Sequence, residues 1–135
     1  MDIEYIVSDL TGVDWVQMKK RLQADDFDNG RSPAQLLKSF ENSHSFCIAY
    51  AEGDIVGTSR ILSDSVCNAY LVDVWTYTPF RLQGIARFMI DLLLAGIAGQ
   101  HVYLQADNLD FYRKLGFTER PTGMERIVGR WLNPM

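Results

Sequence analysis

Three stretches of this chain carry groups able to hold or transform a ligand. They are a glycine turn at Arg81-Leu82-Gln83-Gly84-Ile85-Ala86, an aspartate set in an apolar run (Asp73), and a tyrosine in a short helical segment (Tyr112). The glycine turn lies between the β-like run Tyr70 to Thr78 and the helix-like run Ile85 to Ala98, so a strand feeds a tight turn that opens a helix. Amides at a helix start have no partner within the helix, and the helix dipole adds roughly half a positive charge there. A phosphate or diphosphate docks on such a junction without needing a lysine. Arg81 and Arg87 flank the turn, where guanidinium groups would meet phosphate oxygens. Arg87 also stands i,i+4 from Asp91, and a solvated ion pair is its alternative role.

The order of strand, R-x-x-G-x-A turn, helix, strand and then Phe111-Tyr112-Arg113-Lys114-Leu115-Gly116-Phe117 resembles the GNAT superfamily of acyl-CoA-dependent N-acetyltransferases. Arg81, Gly84, Ala86, Tyr112, Gly116 and Phe117 fall on the family's motif positions. The resemblance implies a central mixed, mostly antiparallel sheet flanked by helices, and acetyl-CoA as co-substrate. It further implies that the segment from Arg81 through Leu82, Gln83, Gly84 and Ile85 to Ala86 binds the diphosphate; Arg87 matches no motif position and is a candidate only by its place beside the turn. Main-chain groups of Val74, Trp75 and Thr76 would bond the pantetheine arm and the acetyl oxygen. Two departures stand out: Gln105 occupies the position usually held by asparagine, with Asn108 closer to the tyrosine, and the usual proline is displaced to Pro79, with Thr78 in its place. Either Gln105 or Asn108 would supply the amide that reaches pantetheine.

Attack of an amine on a thioester needs a neutral amine, a polarised carbonyl and a protonated leaving thiolate. The resemblance puts Tyr112 beside the CoA sulfur, where a phenol of pKa near 10 could donate a proton to a thiolate whose conjugate acid is roughly 8.5. Its alternative is a core tyrosine with a satisfied hydroxyl. Asp73 corresponds to an acidic strand position that takes the amine proton in many relatives, and its neighbours Leu71, Val72, Val74 and Trp75 favour a raised pKa suited to a base. A salt-bridged or turn-bonded structural aspartate is the competing reading. The acidic loop Asp25-Asp26-Phe27-Asp28-Asn29-Gly30 lacks calcium-loop spacing, so no metal is expected. Asp26, Asp28 and Glu41 are candidates to contact a cationic acceptor, against the alternative of a solvated acidic loop. Trp75, Tyr77, Phe80 and Trp131 are candidates for the acceptor pocket or a homodimer contact, although scattered aromatics near strands more often pack in the core. His44 and His101 show no metal spacing.

Apolar periodicity and turn residues lay out the framework around these groups. Ile3 to Val7 reads as a strand, and Thr11 to Asp14 leads into a helix through Leu22; Ser32-Pro33 caps a second helix with Leu36, Leu37 and Phe40 on one face. Ser45 to Ala51 and Ile55 to Leu62, joined at Glu52-Gly53-Asp54, make a hairpin. After the glycine-opened helix come a strand at His101 to Gln105, a helix at Asn108 to Leu115, and a last strand pair from Phe117 to near Trp131. The sum is an α/β or α+β mixed sheet in the order β-α-α-β-β-β-α-β-α-β-β.

The 135 residues, 15.4 kDa, suggest one domain over 1–135. A net charge of −4 and a pI near 5.0 argue against a nucleic-acid footprint and favour a cationic or neutral partner, which suits a small-molecule or protein amine. The run Phe88 to Ala98 is too short for a membrane span, and the acidic start Met1-Asp2-Ile3-Glu4-Tyr5 does not read as a signal peptide. With Cys47 and Cys67 lacking redox or metal spacing, a cytoplasmic protein with free thiols is expected. An acyl-CoA-binding or sensing module without productive chemistry is the second reading, and a nucleotide-binding α/β domain the third.

Overall fold

Alternation of side chains and the chemistry of one turn build the sheet. In the computed structural model, which describes residues 2–132, β1 (Ile3–Val7), β2 (Ser45–Ala51), β3 (Asp54–Ser63) and β4 (Asn68–Thr76) run antiparallel in chain order. β5 (His101–Tyr103) adds parallel to β4. The β2–β3 hairpin closes on Glu52 and Gly53, both at positive φ (50° and 83°), the pairing that matches the right-handed twist of the flanking strands.

Among the described residues four α-helices flank the sheet. α1 (Trp15–Ala24) is capped by Asp14, whose carboxylate accepts the Gln17 N–H at 2.9 Å. α2 (Pro33–Glu41) starts on a reciprocal Ser32/Gln35 capping box with proline at its first turn. α3 (Ile85–Ala95) is entered through Gly84, and α4 (Leu109–Lys114) is capped by Asn108, which accepts the Phe111 N–H at 3.2 Å.

Both faces of the sheet are covered, so β2 alternates between two cores rather than between core and solvent. Cys47, Ala49 and Ala51 meet the α3 residues Ile85, Met89, Ile90 and Leu93, while Phe46 and Ile48 meet Met18, Leu22, Leu36 and Phe40 of α1 and α2. Gly57 on β3 lets α3 approach closely: a Cβ there would stand 3.1 Å from the Met89 methyl, 3.2 Å from the Trp75 carbonyl oxygen and 3.3 Å from Ile85.

The structure corrects several expected boundaries. β4 starts at Asn68 and ends at Thr76, because Pro79 cannot donate to a ladder and Thr78–Phe80 forms a single 3-10 turn. α3 stops at Ala95, capped by Gly96 instead of running to Ala98, and β5 is three residues long. The strand pair expected after Phe117 does not form: among the described residues 117–132 there is neither strand nor helix, and Met124 and Val128 are exposed. Pro121, Gly123 and Gly129 punctuate that segment, leaving only Met124 to Val128 as a strand-like run beside a very short edge strand.

Candidate active site

The site begins where two parallel strands part. β4 and β5 pair only through Asn68 with His101, Ala69 with Val102 and Tyr70 with Tyr103. Beyond that point β4 bulges. Arg60 of β3 faces Val72 and Thr58 faces Trp75, so Asp73 and Val74 together oppose a single β3 residue. Asp73 takes the left-handed conformation (φ 52°), and its carbonyl accepts the Thr58 hydroxyl at 3.0 Å. A cavity of about 370 Å³ fills the gap, with Phe27, Asp73 and Val74 on one wall and Gln105, Asp107 and Tyr112 on the other. It is large enough for the reacting ends of two substrates.

Main-chain direction in β4 follows from one hydrogen bond. The Tyr77 N–H reaches the Val56 carbonyl at 2.8 Å, toward β3. Alternation then turns the main-chain groups of Val74 and Thr76 toward the gap and those of Trp75 toward β3. Trp75 therefore departs from expectation. Its backbone faces the ladder, its side chain is buried in the core beneath α1 and α2, and its indole N–H donates to Asp25 at 2.9 Å. Tyr77 and Phe80 pack partly buried against the cores, and Trp131 is exposed.

At the C-terminal end of β4 the glycine loop has the conformation an anion site needs. Leu82 and Gly84 are both left-handed (φ 65° and 81°), which curls successive amides into a concavity. The first helical amide to find a carbonyl is that of Phe88, on Gly84 at 3.1 Å. Among the described residues the amides from Leu82 to Arg87, those of Gln83, Ile85 and Ala86 included, have no hydrogen-bond partner. A Cβ on Gly84 would meet nothing within 4 Å, so the requirement for glycine lies in its φ and not in crowding. Arg81 lies beside this loop and donates to the Thr76 carbonyl at 3.2 Å. Arg87 points along the exposed helix face, 4.0 Å from Asp91, in the ion-pair arrangement that was the alternative for it.

Tyr112 reaches the cavity from α4, its ring edge-on to Phe111 and Phe117. Burial, with the nearby Asp107 charge adding to it, pushes its phenol up to about 12. It stays protonated at any working pH and is a weaker acid than a free phenol. Of the two amide candidates, Gln105 lines the cavity, while the Asn108 side-chain oxygen is committed to its helix cap.

Asp73 is not the desolvated base that its apolar neighbours suggested. Burial alone would raise its carboxyl, but hydrogen bonds and charge from Arg31 (2.7 Å) and Arg60 (2.9 Å) outweigh burial and hold it below the ordinary carboxylate range. Sequence reasoning missed both arginines. Arg31 ends the acidic loop and Arg60 sits in β3; both are buried, and neither carries a local signal of pairing with a residue so far along the chain.

The acidic loop contributes differently from expectation. Asp28 is bound by Lys19, while Asp26 and Glu41 are exposed; none of the three lines the cavity. Phe27 lines it instead. Asp25 fastens the loop to the end of β4 and the turn after it, accepting the Thr78 N–H at 3.0 Å and the Thr78 hydroxyl at 2.7 Å in addition to the Trp75 indole. Among the described residues no cluster of His, Cys, Asp and Glu could hold a metal ion, and no helix is long and apolar enough to cross a membrane.

Comparison with known proteins bears on the same segment. Residues 42–119 match the model of the acetyltransferase (GNAT) domain. An uncharacterized N-acetyltransferase of Pyropia yezoensis is 31% identical over 80 residues, covering 56% of this chain and 46% of the relative. Its counterpart in Porphyra purpurea is 32% identical over 76 residues, covering 53% and 44%. The chain thus spans about half the length of these curated relatives. Among solved structures, a protein described as an acetyltransferase of the GNAT family from Xanthomonas campestris pv. campestris superposes with a TM-score of 0.78 at 23% identity, over 95% of this chain and 94% of that one. One described as an acetyltransferase from Deinococcus radiodurans R1 gives 0.81 at 22% identity, over 93% and 88%. These structural likenesses speak for the fold. The family match itself takes in the parted strands, the glycine loop and Tyr112 together, and the chain belongs to the GNAT acetyltransferase family.

Proposed function

We propose that this protein transfers an acetyl group from acetyl-CoA to a primary amine by direct attack, with both substrates bound at once and no acyl-enzyme. The observation that carries this reading is the run of amides from Leu82 to Arg87, without partners among the described residues, that follows the strand parting from β5. A diphosphate on the loop leaves a thioester arm room to run along β4 toward Tyr112.

The chemistry then falls to a few groups. The diphosphate lies on the helix start, with Arg81 near enough to turn from Thr76 toward it. The Val74 N–H, directed into the gap, polarises the acetyl carbonyl. The amine loses one proton to water at the open side of the cavity and its nitrogen attacks the carbonyl carbon. The tetrahedral adduct sheds the second N–H proton as the C–S bond breaks. The thiolate departs against the Tyr112 hydroxyl and takes its proton from solvent, giving the amide and free CoA. Asp73 carries no proton in this scheme, since two guanidinium groups already hold its charge.

The net charge of −4 favours a cationic acceptor, with the exposed Asp26 and Glu41 as outer contacts for it. A screen of thiol release from acetyl-CoA with small amines, polyamines and lysine peptides tests the reading; turnover with at least one amine is expected. The paired state of Asp73 favours one competing reading, an acyl-CoA-binding or sensing module. That module would bind acetyl-CoA and release no thiol with any member of the panel.

A further inference from the structure

Asp73 joins three separate elements at one carboxylate oxygen. Arg31 arrives from the loop between α1 and α2, Arg60 from β3, and the aspartate itself sits at the left-handed residue of the β4 bulge. Neither arginine is loose. The Arg31 Nε donates to the Asp28 carbonyl at 3.0 Å, and one Arg60 nitrogen donates to the Ser39 carbonyl and the Ser43 hydroxyl, each at 3.0 Å. The Arg60 guanidinium also lies 5.6 Å from the centre of the Phe40 ring.

Such a cluster is a poor device for stability alone, because apolar residues of similar volume stabilise a buried site as well or better. A non-glycine residue at positive φ adds strain that the surroundings must hold in place. Both features converge one residue before Val74, whose main-chain groups face the cavity. The loop that supplies Arg31 is also fastened at its other end, through Asp25, to Trp75 and Thr78 on the far side of Val74.

We propose that Arg31, Arg60 and Asp73 form a positioning triad that fixes the β4 bulge and so aims the Val74 N–H at the acetyl carbonyl oxygen of acetyl-CoA. This rests on the reading that acetyl-CoA occupies the gap. The triad acts through Val74 and moves no proton. It makes the α1–α2 loop, with Phe27 on the cavity wall, a structural partner of the acetyl-binding amide.

The test needs no acceptor. Dissociation constants for CoA and for acetyl-CoA are measured by calorimetry on the wild type, Asp73→Asn, Arg31→Gln and Arg31→Lys, with circular dichroism confirming that each is folded. The quantity read is the ratio of the CoA constant to the acetyl-CoA constant. It is expected to fall about three- to tenfold in Asp73→Asn and Arg31→Gln, the worth of one neutral hydrogen bond, while CoA itself binds within about twofold of wild type. Arg31→Lys should recover most of the ratio. Arg31→Gln carries the test if Asp73→Asn does not fold. An unchanged ratio in a folded variant, or equal weakening of both ligands, overturns the triad and leaves the acetyl-CoA reading standing. A folded wild type that binds neither ligand overturns both.

Discussion

Replacing Tyr112 with phenylalanine removes one hydroxyl from the wall of the cavity and leaves the ring packed against Phe111 and Phe117. Its phenol, pushed up to about 12, is some 3.5 units less acidic than an alkyl thiol near 8.5. Outright proton transfer to the departing thiolate would therefore be uphill by about 5 kcal/mol. Tyr112 is better suited to donate a hydrogen bond to the developing negative sulfur and to keep its proton. A hydrogen bond to a charged group contributes about 1.5–3 kcal/mol, so Tyr112→Phe should lower kcat by about ten- to a hundredfold. The acetyl-CoA KM should move by less than about twofold, because the ground-state thioester sulfur is a weak acceptor. The sign with pH is equally specific: the donor is present at every pH below about 12, so the substitution should scale the whole pH–rate profile down without removing a limb. Thiol release followed from pH 6 to 10 with the best amine of the screen measures both. An unchanged kcat would remove the Tyr112 hydroxyl from the reaction, and an alkaline limb present in the wild type and absent in the variant would make it a titrating acid instead.

Gly84→Val places a β-branched residue at φ 81° and should cost at least the roughly 1–2 kcal/mol of a left-handed residue, weakening CoA binding tenfold or more by calorimetry while α3 still forms. The Asp73 carboxyl titrates lower in the fold than in the unfolded chain, so its stabilisation is complete above the unfolded value near 3.9 and is lost as pH falls through the folded value. Urea midpoints should accordingly drop more steeply below pH 4 in the wild type than in Asp73→Asn, and that variant should be about 3–5 kcal/mol less stable at pH 7. Cys47 is buried, which pushes its thiol up to about 12, whereas Cys67 is exposed; a thiol reagent should label one cysteine quickly in the native protein and the other only on unfolding. Arg87→Ala should shift stability by less than about 0.5 kcal/mol in thermal melts, since its pairing with Asp91 is solvent-exposed.

The parts of this site legible in the sequence were those whose cause is local. Gly84 followed by an apolar helix announces a left-handed entry and free amides, and Ser32-Pro33 with Gln35 announces a capped helix start. The Glu52-Gly53 turn between β-rich runs fixes the hairpin in the same way. What escaped depends on residues distant in the chain. The apolar neighbours of Asp73 pointed to a raised pKa, and the opposite direction comes from Arg31 and Arg60, 42 and 13 residues away, whose pairing leaves no periodic trace. Asp25 looked like one of several loop carboxylates, and only the fold sets it beside Trp75 and Thr78, 50 and 53 residues away. The strand pair expected after Phe117 lacks an anchor, because β5, three residues long, gives it little edge to pair with.

We propose that main-chain amides around Gly84, unpartnered among the described residues, hold the diphosphate of coenzyme A. Titrating CoA, and separately pantetheine, which lacks the diphosphate, into the folded protein in a calorimeter tests it most directly. Saturable heat with CoA and at least tenfold weaker binding of pantetheine are expected; absence of CoA binding, or equal affinity for the two, would overturn the assignment.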